Sequence, residues 1–498
     1  MPHNTHRTQG LRRPALLAVI VVTAILTFAA AALLTSVFTR KQETRASYVR
    51  VVEVTEQTDD PAVWAQNWPR QYDSYKRTVD SERTRYGGSD AIPKQKLDAD
   101  PWLKMMWAGY AFSIDHREAR GHAYMLVDQE HTERVLQRPQ PGACLHCHAS
   151  NLNLYRHLGQ GDIMAGFEKA CAMTYSEARG QKDDAGNALV EHPAGCVDCH
   201  DPATMGLRVT RPGFIRGIAA LAKSQDPLKH LPSIEQWRKD KPGRDYDPNR
   251  DASRQEMRSF VCGQCHVEYY FAKPGNLVTY PWANGLKNES EEAHYDKIGF
   301  SDWFHGVTGG GMLKAQHPEF EMWNQGIHAR SGVACADCHM PYQRQGATKI
   351  SDHHVRSPLL NIARSCQTCH NIPEAELLDR AIRIQDTTRA LLDRSSQSLT
   401  AMIQAIAAAK AQGADSTQLG QAIALQRKAQ WRLDWVYSEN SVGFHAPQEA
   451  ARLLAESIDY ARQAQLLATQ LIAPAPAVPP LNPQVHGATP ADQTPPRP

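Results

Sequence analysis

Cys144-Leu145-His146-Cys147-His148 is the first of five stretches that share one pattern. The others are Cys196-Val-Asp-Cys199-His200, Cys262-Gly-Gln-Cys265-His266, Cys335-Ala-Asp-Cys338-His339 and Cys366-Gln-Thr-Cys369-His370. Two thiols at i and i+3 of a tight turn can both reach the vinyl groups of one porphyrin. The histidine that follows puts an imidazole nitrogen under the iron, so the Cys-x-x-Cys-His frame reads as covalent c-type haem attachment. The Cys and His frequencies alone would give about 0.01 such frames in a chain of this length. The alternatives are zinc knuckles and a disulfide scaffold, neither of which requires a histidine after every second cysteine. Of 11 cysteines only Cys171 lies outside the frames, and it reads as a buried thiol that ligates nothing.

Haem is attached covalently outside the cytoplasm, and the N-terminus agrees. Arg7, Arg12 and Arg13 precede an uncharged run from Pro14 to Thr39. As a helix that run would span about 39 Å, enough for a bilayer. A basic start before an apolar run is an export signal, either cleaved near Ala29 to Ala32 or kept as an anchor. The body is expected in the periplasm in both cases. The 55 basic and 53 acidic side chains leave a formal charge of +2, which excludes a nucleic-acid binder that relies on bulk positive charge.

The frames are spaced by 52, 66, 73 and 31 residues between their first cysteines, so they are no tandem repeat. The segments between them are rich in Gly, Pro and aromatic residues, and no run alternates as a strand would; the expected fold is mainly α, with a compact five-haem core. After Cys369 the character changes. Residues 374 to about 411 lack Pro and Gly and predict a long amphipathic helix, after a start at Ile372-Pro373-Glu374. Helices from about Thr417 to Tyr437 and from about Pro447 to Leu471 follow, suited to packing on one another or on a second subunit. The expected division is a basic cytoplasmic segment (1–13), a signal or anchor (14–39), a linker (40–62), a pentahaem catalytic domain (63–372), a long-helix region (373–472) and a disordered Pro-rich tail (473–498).

Five haems in about 400 residues form a wire. Two axial histidines leave iron no open position, which suits electron transfer, whereas catalysis needs one iron with an empty face. Of 22 histidines five are proximal, and counting the rest does not identify distal ligands.

Several long strings do. Trp107-Ala-Gly-Tyr110, Arg120-Gly-His122-Ala-Tyr124, Val261-Cys-Gly-Gln-Cys-His-Val-Glu-Tyr-Tyr270, Tyr295-Asp-Lys-Ile-Gly-Phe-Ser-Asp-Trp303, Met312-Leu-Lys-Ala-Gln-His-Pro-Glu319, Gly326-Ile-His328, Ala429-Gln-Trp-Arg-Leu-Asp434 and His445-Ala-Pro447 resemble the ammonia-forming pentahaem cytochrome c nitrite reductases over essentially the whole body. The resemblance implies a mainly helical homodimer with its long C-terminal helices at the interface, reducing nitrite to ammonium with six electrons and eight protons. It implies that Cys144 and Cys147 carry the active-site haem, with Arg134, Tyr269 and His317 on the distal side. Arg138, one turn on from Arg134, is the alternative alignment. It implies Ca²⁺ held by side-chain oxygens of Glu268 and Gln316 and by the carbonyls of Tyr269 and Lys314. A Lys314 ammonium filling that place without an ion is the alternative. Distal ligands would be His122, His328, His353 (beside His354) and His445. An electron donor is implied as well, either a quinol-oxidising multihaem membrane cytochrome or a soluble multihaem carrier.

One position departs from the best-known members, which hold the catalytic iron by lysine in a Cys-x-x-Cys-Lys frame. His148 stands there in this chain. The opposite face stays open, so the departure bears on rate and substrate ranking rather than reaction class. The rival readings are an electron carrier with five bis-histidine haems, and a reductase whose main substrate is hydroxylamine or sulfite.

Overall fold

The computed structural model describes residues 13–45, 50–77, 82–346 and 348–472. Each frame is a single turn of helix. The N–H groups of His200, His266 and His370 donate to the carbonyls of Cys196, Cys262 and Cys366 at 2.9, 3.0 and 2.9 Å, and Leu145–His148 and Cys335–His339 are helical throughout. One turn sets the two cysteines, three residues apart, on one face. Where the variable pair ends in Asp, that Asp caps its own turn. Asp198 accepts from Gly195 N, and Asp337 from Ala334 N, each at 2.8 Å, an arrangement favoured by the positive end of the turn's dipole.

The helices used below are α1 (Arg13–Arg45), α2 (Met125–Glu130), α3 (Glu133–Gln137), α4 (Ile163–Ala172), α5 (Pro212–Lys223), α6 (Arg254–Gly263), α7 (Asn288–Lys297), α8 (Glu319–Gln325), α9 (Glu374–Ala411), α10 (Ser416–Ser438) and α11 (Pro447–Gln470). Between Arg13 and Lys41, α1 is apolar, long enough to cross a membrane and unburied, which fits a signal and an anchor alike. The predicted linker at 40–62 differs. The helix continues to Arg45, and from Arg50 the chain is packed down: Val54 and Trp64 are buried, and Glu56 pairs with Arg156 and Arg208 at 2.5 Å each. Residues 1–12 of the expected cytoplasmic segment and the 473–498 tail lie outside the described residues.

Three antiparallel two-stranded hairpins, unpredicted because their strands have two to four residues, interrupt the helices. They are β1 (Tyr270–Ala272) with β2 (Leu277–Thr279), β3 (Trp303–Phe304) with β4 (Gly311–Met312), and β5 (Tyr342–Gln345) with β6 (Thr348–Ser351).

Two apolar cores position the site. One gathers Trp282, Phe167 of α4, Phe214 of α5, Phe260 of α6 and Phe320 of α8 beside the first and third frames. The other packs α9, α10 and α11 on one another through Leu399, Ile403, Trp431, Trp435, Leu454 and Ala461. The α10 start is a capping box in which Asp415 accepts from Thr417 N and Gln418 N, and Gln418 returns to Asp415 N. Ser395 Oγ donates to Ser457 Oγ, and Ser457 Oγ to Ala429 O, each at 2.7 Å, so one buried hydroxyl relay joins all three helices. From α10 Asp434 reaches Trp107 Nε1 at 3.3 Å, coupling the long helices to the haem-binding body.

Candidate active site

The structure sorts the histidines. His122 faces His266, His353 faces His200, His328 faces His370, and His445 faces His339, with ring centres 6.3 Å apart in all four cases. A metal–imidazole bond of about 2.0 Å, with about 1.1 Å from nitrogen to ring centre, puts two trans imidazoles about 6.2 Å apart. Each pair is therefore spaced to hold one iron between its rings. Of the neighbours His353 and His354, it is His353 that faces His200. Gly121, at a φ of 104°, makes the turn that delivers His122.

Backbone carbonyls fix the other ring nitrogen. Nδ1 of His148, His200 and His339 contacts Met125 O, Met205 O and Arg356 O at 3.1 Å, and Nδ1 of His353 contacts Ser351 O at 3.0 Å. A hydrogen bond at Nδ1 leaves Nε2 free for a metal. His445 differs, with Nδ1 2.6 Å from Glu439 Oε1. Among the described residues no three His, Cys, Asp or Glu side chains form a cage, and every cysteine is free of disulfide.

The frames form a chain. The Cys147 and Cys265 thiols are neighbours, as are those of Cys262 and Cys335. Gln264 Nε2 lies 4.0 Å from Cys199 Sγ, and Cys338 neighbours Cys366 and Cys369. The third frame is thus the hub, touching the first, second and fourth, and the fifth hangs on the fourth. Arg211, buried on Asp198 at 3.0 Å, ties the junction. Its Nη2 donates to Ala149 O at 2.8 Å, and its own N–H and that of Thr210 donate to Gln264 Oε1. Cys171 is buried in α4.

His148 stands in no such pair among the described residues. Arg134 and His317 are its neighbours, and Tyr269 neighbours Arg134. Arg134, on α3, is held by neutral oxygens: Nη2 donates to Gln129 Oε1 at 2.8 Å and Nη1 to Asp115 O at 3.2 Å. Its guanidinium carbon sits 4.6 Å from the Phe112 ring centre. Arg138 ends α3 at the surface, so Arg134 is the arginine turned inward. Burial drives the Tyr269 phenol well above its ordinary range and lowers the His317 imidazole to about 4, so that it is neutral at pH 7. Tyr110 and His116 share this surrounding and carry no role in the sequence reading. Tyr110 stacks on Trp303 at 4.7 Å, next to Gln316. His116 is caged by Trp107 and Phe112.

Glu268, Tyr269, Lys314 and Gln316 converge beside this centre. Glu268 Oε1 accepts from Tyr295 Oη at 2.8 Å and Oε2 from Gln316 N at 2.6 Å; Gln316 Nε2 reaches Lys314 O at 3.4 Å. The Lys314 ammonium points elsewhere, to Asp434 Oδ1 at 3.0 Å, Ser438 Oγ at 2.9 Å and Ala315 O. Burial holds the Glu268 carboxyl well above the usual carboxylate range, and other carboxylates nearby add to it. A buried carboxylate among amide and carbonyl oxygens, with no ammonium over it, suits a hard cation.

A family model described as cytochrome c552 matches residues 60–494. A cytochrome c-552 from Bacteroides fragilis is 35% identical over 443 residues, covering 86% of this chain and 82% of that protein. One from Parabacteroides distasonis is 35% identical over 415 residues, covering 82% and 76%. Among solved structures, the cytochrome c nitrite reductase of Desulfovibrio desulfuricans, described for two calcium sites in its catalytic subunit (NrfA), is 29% identical. It covers 84% of this chain and 88% of its own, with a TM-score of 0.70.

Proposed function

The chain belongs to the cytochrome c552 family, and on that footing we propose that it reduces nitrite to ammonium at the haem of the first frame. The reaction is NO₂⁻ + 6 e⁻ + 8 H⁺ → NH₄⁺ + 2 H₂O. One juxtaposition carries the reading. Four proximal histidines each face a second histidine, while His148 has Arg134 and His317 near it and Tyr269 beside Arg134. That asymmetry supports four electron-transfer centres and one reactive centre, and disfavours a carrier with five bis-histidine haems.

When bound, the c-type haems would supply electrons in relay, and the one held by Cys144, Cys147 and His148 would supply the iron that takes nitrite. The protein does the rest. Arg134, whose charge no carboxylate neutralises through a hydrogen bond, receives the anion's oxygens through its guanidinium fork. His317, neutral before the anion arrives, offers its N–H to the same oxygens; the anion's charge then favours a second proton on the ring. Tyr269 Oη, unable to ionise near neutral pH, stays a donor through the cycle. Phe112 and Trp107 wall the site against bulk water. Glu268, Tyr269, Lys314 and Gln316 take Ca²⁺, in keeping with the calcium sites of the Desulfovibrio relative, and tie the Tyr269 and His317 segments together.

The protein acts in the periplasm as a homodimer through its long helices, with α1 as membrane anchor or export signal, and receives electrons from a multihaem cytochrome. Replacing His317 with Asn tests the site. Nitrite turnover should fall by about a hundredfold or more while all five haems remain attached; unchanged turnover would remove His317 from the chemistry.

A further inference from the structure

Helix α7 turns Asn288, Glu291, Glu292 and Tyr295 inward, an i, i+3, i+4, i+7 stripe that ordinarily carries apolar side chains. Two of the four are accounted for. Glu292 Oε2 pairs with Arg432 Nη1 at 3.0 Å, and Tyr295 Oη donates to Glu268. Glu291 is wholly buried, and neither of its carboxylate oxygens has a hydrogen-bond partner. Asn288, one turn earlier on the same buried face, is 1% exposed, with neither its amide nitrogen nor its amide oxygen bonded.

Glu321 of α8, also wholly buried, is an acidic neighbour of Glu291. Its Oε1 is occupied by Trp282 Nε1 at 2.7 Å and by Glu268 N at 3.0 Å, whereas Oε2 has no partner. The charged groups that act on Glu291 are Glu321 and Glu268, both acidic. A buried carboxylate must be paired or neutralised, and a buried amide must be hydrogen-bonded. Protons on the two acids would remove their charge; a cation would remove it and also take the Asn288 oxygen as a ligand.

We propose that Asn288, Glu291 and Glu321 bind a hard divalent cation of the Ca²⁺ class, separate from the ion at Glu268 and Gln316. The donors on offer are all oxygens: both of Glu291, Oε2 of Glu321 and Oδ1 of Asn288. Water completes the six to eight ligands that Ca²⁺ takes, and no soft or nitrogen ligand would draw zinc or copper. The ion pins α7 to α8. Through Glu268 N on Glu321 it also braces the segment that carries Tyr269, without touching substrate.

The test compares the haem-loaded protein with the Asn288→Val, Glu291→Met double variant, which keeps volume and removes the donors. Both are equilibrated with Ca²⁺, freed of excess by gel filtration and analysed for calcium against iron. The double variant should hold one Ca²⁺ fewer per chain at unchanged iron content; equal calcium overturns the proposal. Should the double variant not fold, Glu291→Gln replaces it. Its calcium affinity at this site should then fall at least tenfold, and unchanged affinity overturns the proposal. Glu268→Gln run in parallel separates the two ions. If it loses no calcium, the reading at Glu268 and Gln316 fails while the loss at Glu291 still stands.

Discussion

Arg134 offers the sharpest single perturbation. Its guanidinium is held by Gln129 Oε1 at 2.8 Å and Asp115 O at 3.2 Å, and lies 4.6 Å over the Phe112 ring. Arg134→Ala removes a preorganised donor to a bound anion, which costs about 2.7–4 kcal/mol, or roughly 10²–10³ in kcat. It also removes two hydrogen bonds to neutral oxygens at about 1 kcal/mol each and a cation–π contact of about 1 kcal/mol, so folding should weaken by about 3 kcal/mol. Arg134→Lys keeps the charge but loses the fork and the stacking, and should recover only part of the rate. The assay is ammonium produced per reduced dye consumed, beside haem content and a denaturant midpoint. If Arg134→Ala keeps its haems and turns over within about threefold of the parent, Arg134 is a structural residue and the anion is held otherwise.

Three further outcomes are expected. His353→Met should change one low-spin haem signal and its potential, while His354→Met should leave both unchanged, because His353 is the ring 6.3 Å from His200; redox titration followed by absorbance decides. Glu439→Gln weakens the carboxylate on His445 Nδ1, 2.6 Å away, making the imidazole a poorer donor. The potential of that haem should rise by tens of mV, where about 59 mV is tenfold in a one-electron equilibrium; a fall would contradict the reasoning. Asp434→Ala strands the buried Lys314 ammonium, 3.0 Å from its partner, and should destabilise the fold by about 3–5 kcal/mol in denaturant titrations.

The five frames and the three C-terminal helices were readable because their signals are local. A cysteine pair with its histidine spans five residues, and a helix lacking Gly and Pro announces its length. The structure places the α9–α11 boundaries within a residue or so of those expected. The iron pairs were not readable, since His122 meets His266 and His353 meets His200 across long, irregular stretches of chain that no periodicity links. Arg134 could be separated from Arg138 only once α3 showed which of them turns inward. Lys314 illustrates the limit in another way. Its carbonyl and its ammonium face different partners, and only the fold shows Asp434 of α10 taking the charge. The burial of Glu291 and Glu292 also follows only from the inward face of α7, which no local signal marks. The β1–β6 strands are too short to show alternation.

The central claim is that one iron of five is open and that it reduces nitrite. Fully reduced protein mixed with limiting nitrite, with electrons counted against ammonium and the resting protein examined by electron paramagnetic resonance, tests it most directly. Six electrons per nitrite recovered as ammonium, with one high-spin haem beside four low-spin ones, is the predicted result. Five low-spin haems and no consumption of nitrite would contradict it and leave an electron wire.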